Sequence, residues 1–295
     1  MDDKANGFFI AGSPFTAPPL AAGLHIVSTP IGNLRDITVR ALETLAAADL
    51  VLCEDTRHSA TLLDHYGIRT ARRSLHEHNE RERVAEVVAL IQSGKAIALI
   101  SDAGTPLLSD PGFPLVRGAR EAGVDVFAVP GPSALLAALA IAGLPTDSFS
   151  FIGFLPAKFE AREQTVLALA PRRETLVFYE SPRRLGEMLA ALARQFGDTR
   201  EAAVALELTK RFERVKRGTL AELAEAFTDA ETKGEAVVVV AGAEEREIDV
   251  SEWRPALAEL LKTQPLRGAV DDIAARYGLK RKEVYDAALA LRQQE

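Results

Sequence analysis

The sequence has one cysteine, no hydrophobic run long enough to cross a bilayer and no excess of positive charge. Cys53 alone can form neither an internal disulfide nor a cysteine-based zinc site, which excludes a secreted disulfide scaffold and favours the cytoplasm. The 35 Lys and Arg residues stand against 42 Asp and Glu residues, a net charge of −7. A protein that coats nucleic acid through bulk charge is therefore excluded, and any RNA-binding role needs locally clustered basic residues.

The 295 residues, 47% of them hydrophobic and 26% charged, predict a globular chain of two or three units. Residues 1–23 are rich in Gly, Pro and Ala and open on two aspartates, so we expect a disordered extension and not a targeting signal. From residue 24, short apolar runs alternate with segments of helical period, which is typical of α/β proteins with strands buried on both faces. The predicted strands are 24–28, 49–54, 96–101, 124–129, 149–154, 174–179, 202–208 and 235–242, and the predicted helices include 37–47, 80–92, 183–195 and 219–227.

This pattern predicts two α/β subdomains, at 24–143 and 144–243, and a helical unit at 251–295. In the helical unit Gly278 separates two helical patterns, where a glycine supplies the left-handed turn of a helix-turn-helix. Side chains at the start of the second helix could face phosphate or base edges, and three basic residues stand there: Lys280, Arg281 and Lys282. A small bundle used only for packing or dimerisation explains the same spacing.

The loops that follow the strands carry the polar residues. The loop at 29–36 lacks both the G-x-G-x-x-G pattern and the Gly-Lys-Ser/Thr ending, which disfavours NAD, FAD or a nucleoside triphosphate. Residues 101–112 (SDAGTPLLSDPG) combine many turn formers between a strand and a helix, which indicates a backbone shaped around a ligand. Asp102 is available there for a ribose or an ammonium group, and Ser133 in the next such loop can cap a helix or face the same ligand.

Two clusters need a separate interpretation. Five of the eight residues at 210–217 (KRFERVKR) are basic, and arginine pairs at 172–173 and 183–184 lie beside strand ends in the same half. They are consistent with a phosphate-tracking surface, although a solvated loop explains a charge run equally well. The spacing of His76-Glu77-His78 is compatible with a metal, but no second Cys/His cluster completes a coordination shell, so we expect no metal.

Nine motifs occur in one order: STPIGN, EDTR, HEHN, ISDAGTPLLSDPG, PGPSA, GFLP, YESPRR, LTKRFE and GEAVVVVAG. Over about residues 24–242 the chain closely resembles the tetrapyrrole-methylase-like class of S-adenosylmethionine-dependent methyltransferases. The resemblance implies two α/β subdomains of the tetrapyrrole methylase type, S-adenosylmethionine in the cleft between them, a homodimer and no metal. The STPIGN and SDAGTP forms resemble the members that act on RNA, which implies 2′-O-methylation of a cytidine in the decoding centre of small-subunit (16S) ribosomal RNA.

The resemblance also implies site residues by motif position. The cofactor site should include Pro30, Asp102, Leu107, Ser133, Ala134, Tyr179, Leu208 and Ala236. Candidates for handling the ribose proton are Asp55, Arg57, His76, Asn79, Glu180 and Lys210. Candidates for RNA contact are Arg57, Arg183, Arg184, Lys210, Arg211, Arg214, Lys280, Arg281 and Lys282. Two other hypotheses stay open, a methylase of a tetrapyrrole precursor and a non-enzymatic RNA-binding module.

Overall fold

The computed structural model describes residues 6–228, 234–244 and 250–292. The chain divides into two compact units, Met1–Ala243 and Glu244–Glu295. Within the described ranges, no helix is both long enough and apolar enough to cross a membrane.

A β-hairpin opens the larger unit, formed by β1 (Gly7–Ile10) and β2 (Ser13–Thr16). Phe8 is 2% exposed and belongs to the same core cluster as Tyr66, and the Phe9 N–H donates to the Tyr66 carbonyl at 2.8 Å. The prediction of a disordered extension over residues 1–23 is therefore wrong for the hairpin, while residues 1–5 lie outside the described ranges. Composition misled because one buried aromatic ring anchors a segment otherwise rich in Gly, Pro and Ala.

The first sheet is parallel and has five strands: β3 (Gly23–Val27), β4 (Leu50–Cys53), β5 (Arg72–Ser74), β6 (Ala96–Leu99) and β7 (Val126–Val129). Their order is β5-β4-β6-β3-β7. One face of this sheet packs on the apolar side chains of α1 (Val39–Ala47) and α2 (Thr56–His65). The other face packs on those of α3 (Glu80–Gln92) and α4 (Phe113–Glu121). The four predicted strands are confirmed, whereas β5 escaped prediction because Arg-Arg-Ser gives no apolar signal.

The second sheet is mixed and contains β8 (Phe149–Phe154), β9 (Thr175–Glu180), β10 (Glu201–Leu206), β11 (Arg214–Thr219) and β12 (Ala236–Val240). The order is β11-β10-β12-β9-β8, and only β8 and β9 run parallel. One face packs on α6 (Phe159–Leu169), α7 (Leu185–Phe196) and α8 (Leu220–Phe227). The other packs on α5 (Ala134–Ala142), which follows the last strand of the first sheet in the chain and so joins the two halves.

The sequence suggested that the basic segment at 210–217 is a loop, but the structure shows a turn followed by a strand. A turn occupies its first part, and from Arg214 the chain forms edge strand β11, antiparallel to β10. Arg217 donates to the carbonyls of Ile141 and Ala142 at the end of α5, at 2.8 Å for the second. Arg214 and Lys216 lie exposed on this sheet edge, where basic side chains also discourage pairing with another strand.

The smaller unit has three helices: α9 (Val250–Thr263), α10 (Leu266–Tyr277) and α11 (Arg281–Arg292). Trp253 and Leu257 of α9 pack with Val270 of α10 and Val284 of α11 in one buried cluster. Gly278 ends α10 with a φ of +65°, as the sequence predicts for a left-handed turn between two crossing helices.

Candidate active site

The loop between β6 and α4, residues 100–112, is fixed at two points. Gly104 exchanges two backbone hydrogen bonds with Thr29, just beyond β3, at 2.9 and 3.1 Å. Further along, the Gly112 N–H donates to Glu80 Oε2 at 2.7 Å, at the start of α3. The turn formers in SDAGTPLLSDPG therefore build one rigid loop across the end of the parallel sheet.

Two non-glycine residues of this loop adopt a strained backbone. The φ angles of Leu107 and Ser109 are +73° and +67°, which side chains other than glycine adopt at an energetic cost. Ser109 also lies against β8, since a Cβ added to Gly153 would be 3.1 Å from Ser109 Oγ. The loop thus touches the second sheet as well as the first.

A cavity of about 410 Å³ opens beside this loop. Residues between 102 and 110 line one side, and the start of α5, the ends of β8 and β9, and residues 234–237 line the others. The cavity therefore takes its walls from both α/β halves, and its volume is typical of sites for small organic ligands.

Four of the eight predicted cofactor residues line this cavity: Asp102, Ala134, Tyr179 and Ala236. Pro30 lines a neighbouring pocket of about 210 Å³, which shares Asp102 with the cavity. Of the remaining three, Ser133 lines a separate pocket, Leu208 is 7% exposed in the core against α5, and Leu107 shapes the loop. The structure thus brings half of the predicted set around one cavity and leaves the other four outside its lining.

Tyr179 joins the second sheet to the start of α5. Its Oη accepts a hydrogen bond from the Leu135 N–H at 3.2 Å, which satisfies one of the free amides of the first helical turn. Burial raises the pKa of the phenol, and its ring packs edge-on to Phe151 and Phe154 at 4.8 and 5.8 Å. The phenol is therefore neutral at physiological pH and acts as a fixed part of the cavity wall.

Glu180 is the one predicted catalytic candidate that lines the cavity. Burial raises the pKa of its carboxyl, Oε1 accepts the Ser181 N–H at 2.8 Å, and Oε2 lies 3.4 Å from an Arg184 nitrogen. That nitrogen of Arg184 also donates to the carbonyls of Leu155 and Pro156, at 3.1 and 3.2 Å. Arg184 is thus held inside the fold, unlike the exposed Arg183, so its prediction as an RNA contact does not fit its position.

Four other catalytic candidates do not line the cavity. Asp55 caps α2 by accepting the Arg57 N–H at 2.8 Å, and this bond lowers the pKa of its carboxyl. Arg57 is an exposed cation, with 93% of its side chain accessible. Asn79 accepts the His76 N–H at 2.9 Å, and its amide contacts His76 Nε2 at 3.1 Å. These side chains therefore stabilise the start of a helix and a turn, and offer no direct route to a ligand in the cavity.

Lys210 links three segments. Its Nζ pairs with Glu207 Oε1 at 3.0 Å and Glu235 Oε2 at 3.1 Å, while its stem lies so close to Gly32 that an added Cβ would be 2.5 Å from Cγ. Desolvation alone would lower the pKa of this amine, but the two carboxylates outweigh it and raise the pKa. Lys210 stays charged and stabilises the contact between the STPIGN loop and the second half.

Asp110 is a residue that our sequence interpretation missed. It lines the cavity, and burial, reinforced by the charges of Glu54 and Asp102, raises the pKa of its carboxyl to about 6. Ser101 acts in the opposite direction by a hydrogen bond to the carboxyl. Asp110 belongs to the loop that the sequence assigned to a ligand, but side-chain directions in an irregular loop have no periodicity to reveal them.

The remaining predicted RNA-binding residues lie on the surface. Those of the larger unit are Arg183, Arg211 and Arg214, and those of the smaller unit are Lys280, Arg281 and Lys282. Arg281 pairs with Asp271 at 2.5 Å, so its charge is partly neutralised. Within the described part of the chain, no group of three or more His, Cys, Asp or Glu side chains is arranged to hold a metal ion.

Comparison with known proteins identifies the class to which this fold and cavity belong. Residues 23–224 match the family model of the tetrapyrrole (corrin/porphyrin) methylases, and residues 247–292 match that of the RsmI C-terminal HTH domain. The solved uroporphyrin-III-C-methyltransferase of Thermus thermophilus is 23% identical, with a TM-score of 0.55 over 75% of this chain and 94% of its own. The chain belongs to the tetrapyrrole methylase family, whose methyl donor is S-adenosylmethionine.

Curated relatives narrow the family further. The Ribosomal RNA small subunit methyltransferase I of Mesorhizobium japonicum is 48% identical over 277 residues, which cover 94% of each chain. The protein of the same name from Escherichia coli O157:H7 is 44% identical over 90% of this chain and 94% of its own length. Within the tetrapyrrole methylases, this chain therefore belongs to the family of Ribosomal RNA small subunit methyltransferase I, and the expected fold is confirmed.

The residues present fit S-adenosylmethionine, which supplies a methyl group activated by a positively charged sulfur. Apolar side chains of Ile31, Leu108 and Phe154 can cover the adenine and the aliphatic part. The carboxylates of Asp102 and Asp110 would compensate the positive charges that the sulfonium and ammonium groups bring into the cavity. The match of residues 247–292 to the RsmI C-terminal HTH domain favours a helix-turn-helix in the smaller unit over a bundle used only for packing.

Proposed function

We propose that this protein methylates small-subunit ribosomal RNA with S-adenosylmethionine, at the ribose 2′-hydroxyl of a cytidine in the decoding centre. The observation that carries the proposal is the match to rRNA methyltransferase relatives along nine tenths of the chain, together with a cavity that fits the cofactor. Because the methyl group is already activated, the protein must mainly align the hydroxyl oxygen, the methyl carbon and the sulfur. The rigid loop at 100–112 is suited to that task.

A basic turn, residues 210–214, supports RNA as the substrate. In the backbone register of the second sheet, Arg214 lies opposite Leu206, Leu206 opposite Ala236, and Ala236 opposite Glu180. Four consecutive strands therefore connect the basic turn to the cavity wall. At about 4.8 Å between neighbouring strands, the Arg214 backbone lies about 10 Å from that of Ala236. This short distance supports the proposal that the basic turn contacts a nucleotide adjacent to the one being methylated.

The basic turn also carries an exposed aromatic side chain. Phe212 is 71% exposed, and the guanidinium of Arg211 lies 5.5 Å from its ring centre. Exposed aromatic rings beside arginine are a common arrangement for stacking unpaired bases while the cation contacts phosphate. We infer that Phe212 stacks on a base of the target strand and that Arg211 and Arg214 contact its backbone.

The smaller unit adds a second cationic surface. Lys280 and Lys282 are exposed at the start of α11, the position from which a helix-turn-helix meets nucleic acid. Basic residues clustered on each unit of a chain of net charge −7 favour a shaped ribosomal target over RNA in general. We place the protein in the cytoplasm and expect a homodimer, which analytical ultracentrifugation tests.

A methylase of a tetrapyrrole precursor is the second candidate, because the fold is shared with enzymes of that class. It leaves the basic turn and the helix-turn-helix unit without a role. A non-enzymatic RNA-binding module, in turn, leaves the cavity without one. The experiment that separates the three supplies labelled S-adenosylmethionine with either unmodified small subunits or uroporphyrinogen III. We expect label only in the RNA; label in the tetrapyrrole alone, or in neither, would refute the proposal.

A further inference from the structure

Four carboxylates line the cavity, and they differ in the groups that bind them. Glu180 accepts the Ser181 N–H and faces Arg184, and Glu235 pairs with Lys210. Asp102 accepts the Asp55 N–H at 3.2 Å. The fourth, Asp110, is partly buried and accepts a hydrogen bond from Ser101, but among the described residues it has no ion pair with a Lys or Arg side chain. Among the described residues, Asp110 is thus the carboxylate of the four that binds neither a cationic side chain nor a backbone N–H.

The surroundings of Asp110 make it a stronger base than an ordinary carboxylate. The groups that face it are Glu54 after β4, Ser101 and Asp102 after β6, and the phenol of Tyr179 on β9. Burial and two like charges raise its pKa to about 6, against the single opposing hydrogen bond of Ser101. A carboxylate with that pKa is ionised at pH 7.5 and still takes up protons more readily than an exposed aspartate.

The backbone holds Asp110 in place from both sides. Ser109, which precedes it with a φ of +67°, contacts the β8 bulge at Gly153, and Gly112, two residues further on, is bound to Glu80. Strained loop residues clamped by neighbouring elements are typical of positions where a side chain must be held for chemistry. Conformational adjustment of this carboxylate is therefore small, as a proton acceptor requires.

We propose that Asp110 is a catalytic residue that accepts the proton of the target ribose 2′-hydroxyl. This inference rests on the proposed function. The 2′-oxygen forms its bond to the methyl carbon as the carbon–sulfur bond breaks, and the electron pair of that bond remains on sulfur. The proton leaves the 2′-oxygen for an Asp110 carboxylate oxygen and then passes to solvent. One O–H and one C–S bond are thereby exchanged for one O–C and one O–H bond, with no further reactant.

The test compares Asp110→Asn, which keeps the side-chain shape, with the control Asp125→Asn at an exposed position before β7. Steady-state and single-turnover rates on small subunits are measured from pH 5 to 8.5. We expect Asp110→Asn to lower kcat about 10²- to 10⁴-fold, with little change in KM for the subunit, and to abolish the fall in rate below about pH 6. The control keeps the wild-type rate and profile, and Asp110→Glu recovers part of the lost rate.

A second readout needs no turnover. A sulfonium beside Asp110 favours its ionised form, so binding of S-adenosylmethionine at pH 6 should release about half a proton. Calorimetry in two buffers of different ionisation enthalpy measures that release. It should vanish in Asp110→Asn and remain in Asp125→Asn.

Three results would overturn the inference. A wild-type kcat and acidic limb in Asp110→Asn would show that another group takes the proton. A change confined to the affinity for S-adenosylmethionine would reduce Asp110 to a counter-charge for the cofactor. If wild-type product carries its label on a base, the proposed function fails together with the proton acceptor. If that product is a 2′-O-methylated nucleoside and the variant makes it as fast, only the inference fails.

Discussion

The burial of Asp110 implies a stability cost that a single substitution should relieve. Its carboxyl has a pKa of about 6 in the folded protein and 3.8 as an unperturbed group. This difference of about 2 units corresponds to about 3 kcal/mol for a fully enclosed group, which partial exposure reduces to about 1–2 kcal/mol. The charged form is the one that the fold disfavours. The cost is therefore absent below about pH 4, grows as pH rises, and is complete above about pH 6.

Asp110→Asn should accordingly raise the thermal midpoint of the larger unit by a few degrees at pH 7.5, and by about half as much at pH 5. Scanning calorimetry of the wild type, Asp110→Asn and Asp125→Asn at both pH values measures the effect. A midpoint that is unchanged or lower in Asp110→Asn would refute the reasoning, as would an increase of equal size at the two pH values. A stabilised variant that has lost activity would be the trade-off expected of a functional residue.

Three further predictions concern the loop and the smaller unit. Gly104→Ala places a Cβ on a backbone with a φ of +79°, so we expect calorimetry to show at least tenfold weaker binding of S-adenosylmethionine while the core stays folded. Leu257→Ala leaves a cavity beside the chain's single tryptophan and should cost about 2–5 kcal/mol in the smaller unit, read by tryptophan fluorescence, with cofactor affinity unchanged. Replacing Lys280 and Lys282 by Ala should weaken binding to small subunits and lower the slope of log K against log salt by about 1 to 2 units. Loss of cofactor binding in Leu257→Ala, or an unaltered salt slope in the double lysine variant, would contradict the assignments.

The regular elements were predictable where burial dominates. Runs such as Ala96–Leu99 and Ala236–Val240 are apolar at every position, and all eight predicted strands are present. Strands β2 and β11 were missed because they carry no continuous apolar run, and β1 was missed because its short apolar run lies in a segment rich in Gly, Pro and Ala. Their positions depend on one buried ring and on pairing with β10, and neither leaves a periodic signal.

The sequence predicted which loops form the site better than it predicted which side chains line it. The turn formers of SDAGTPLLSDPG indicated a loop shaped around a ligand, and in the structure this loop, with Asp102, lines the cavity. Charged residues were predicted to contact substrate because of their charge alone. Lys210 and Arg184 were therefore included, although both side chains bind groups inside the fold. Asp110 was overlooked because its unusual environment arises from elements far apart in the chain.

The measurement that tests the central claim most directly is nucleoside analysis of the methylated RNA. Small subunits that lack the modification are incubated with the protein and labelled S-adenosylmethionine, and the RNA is digested to nucleosides and separated. The account predicts that the label appears as 2′-O-methylcytidine. Label on a base, on another ribose, or nowhere in the RNA would contradict it.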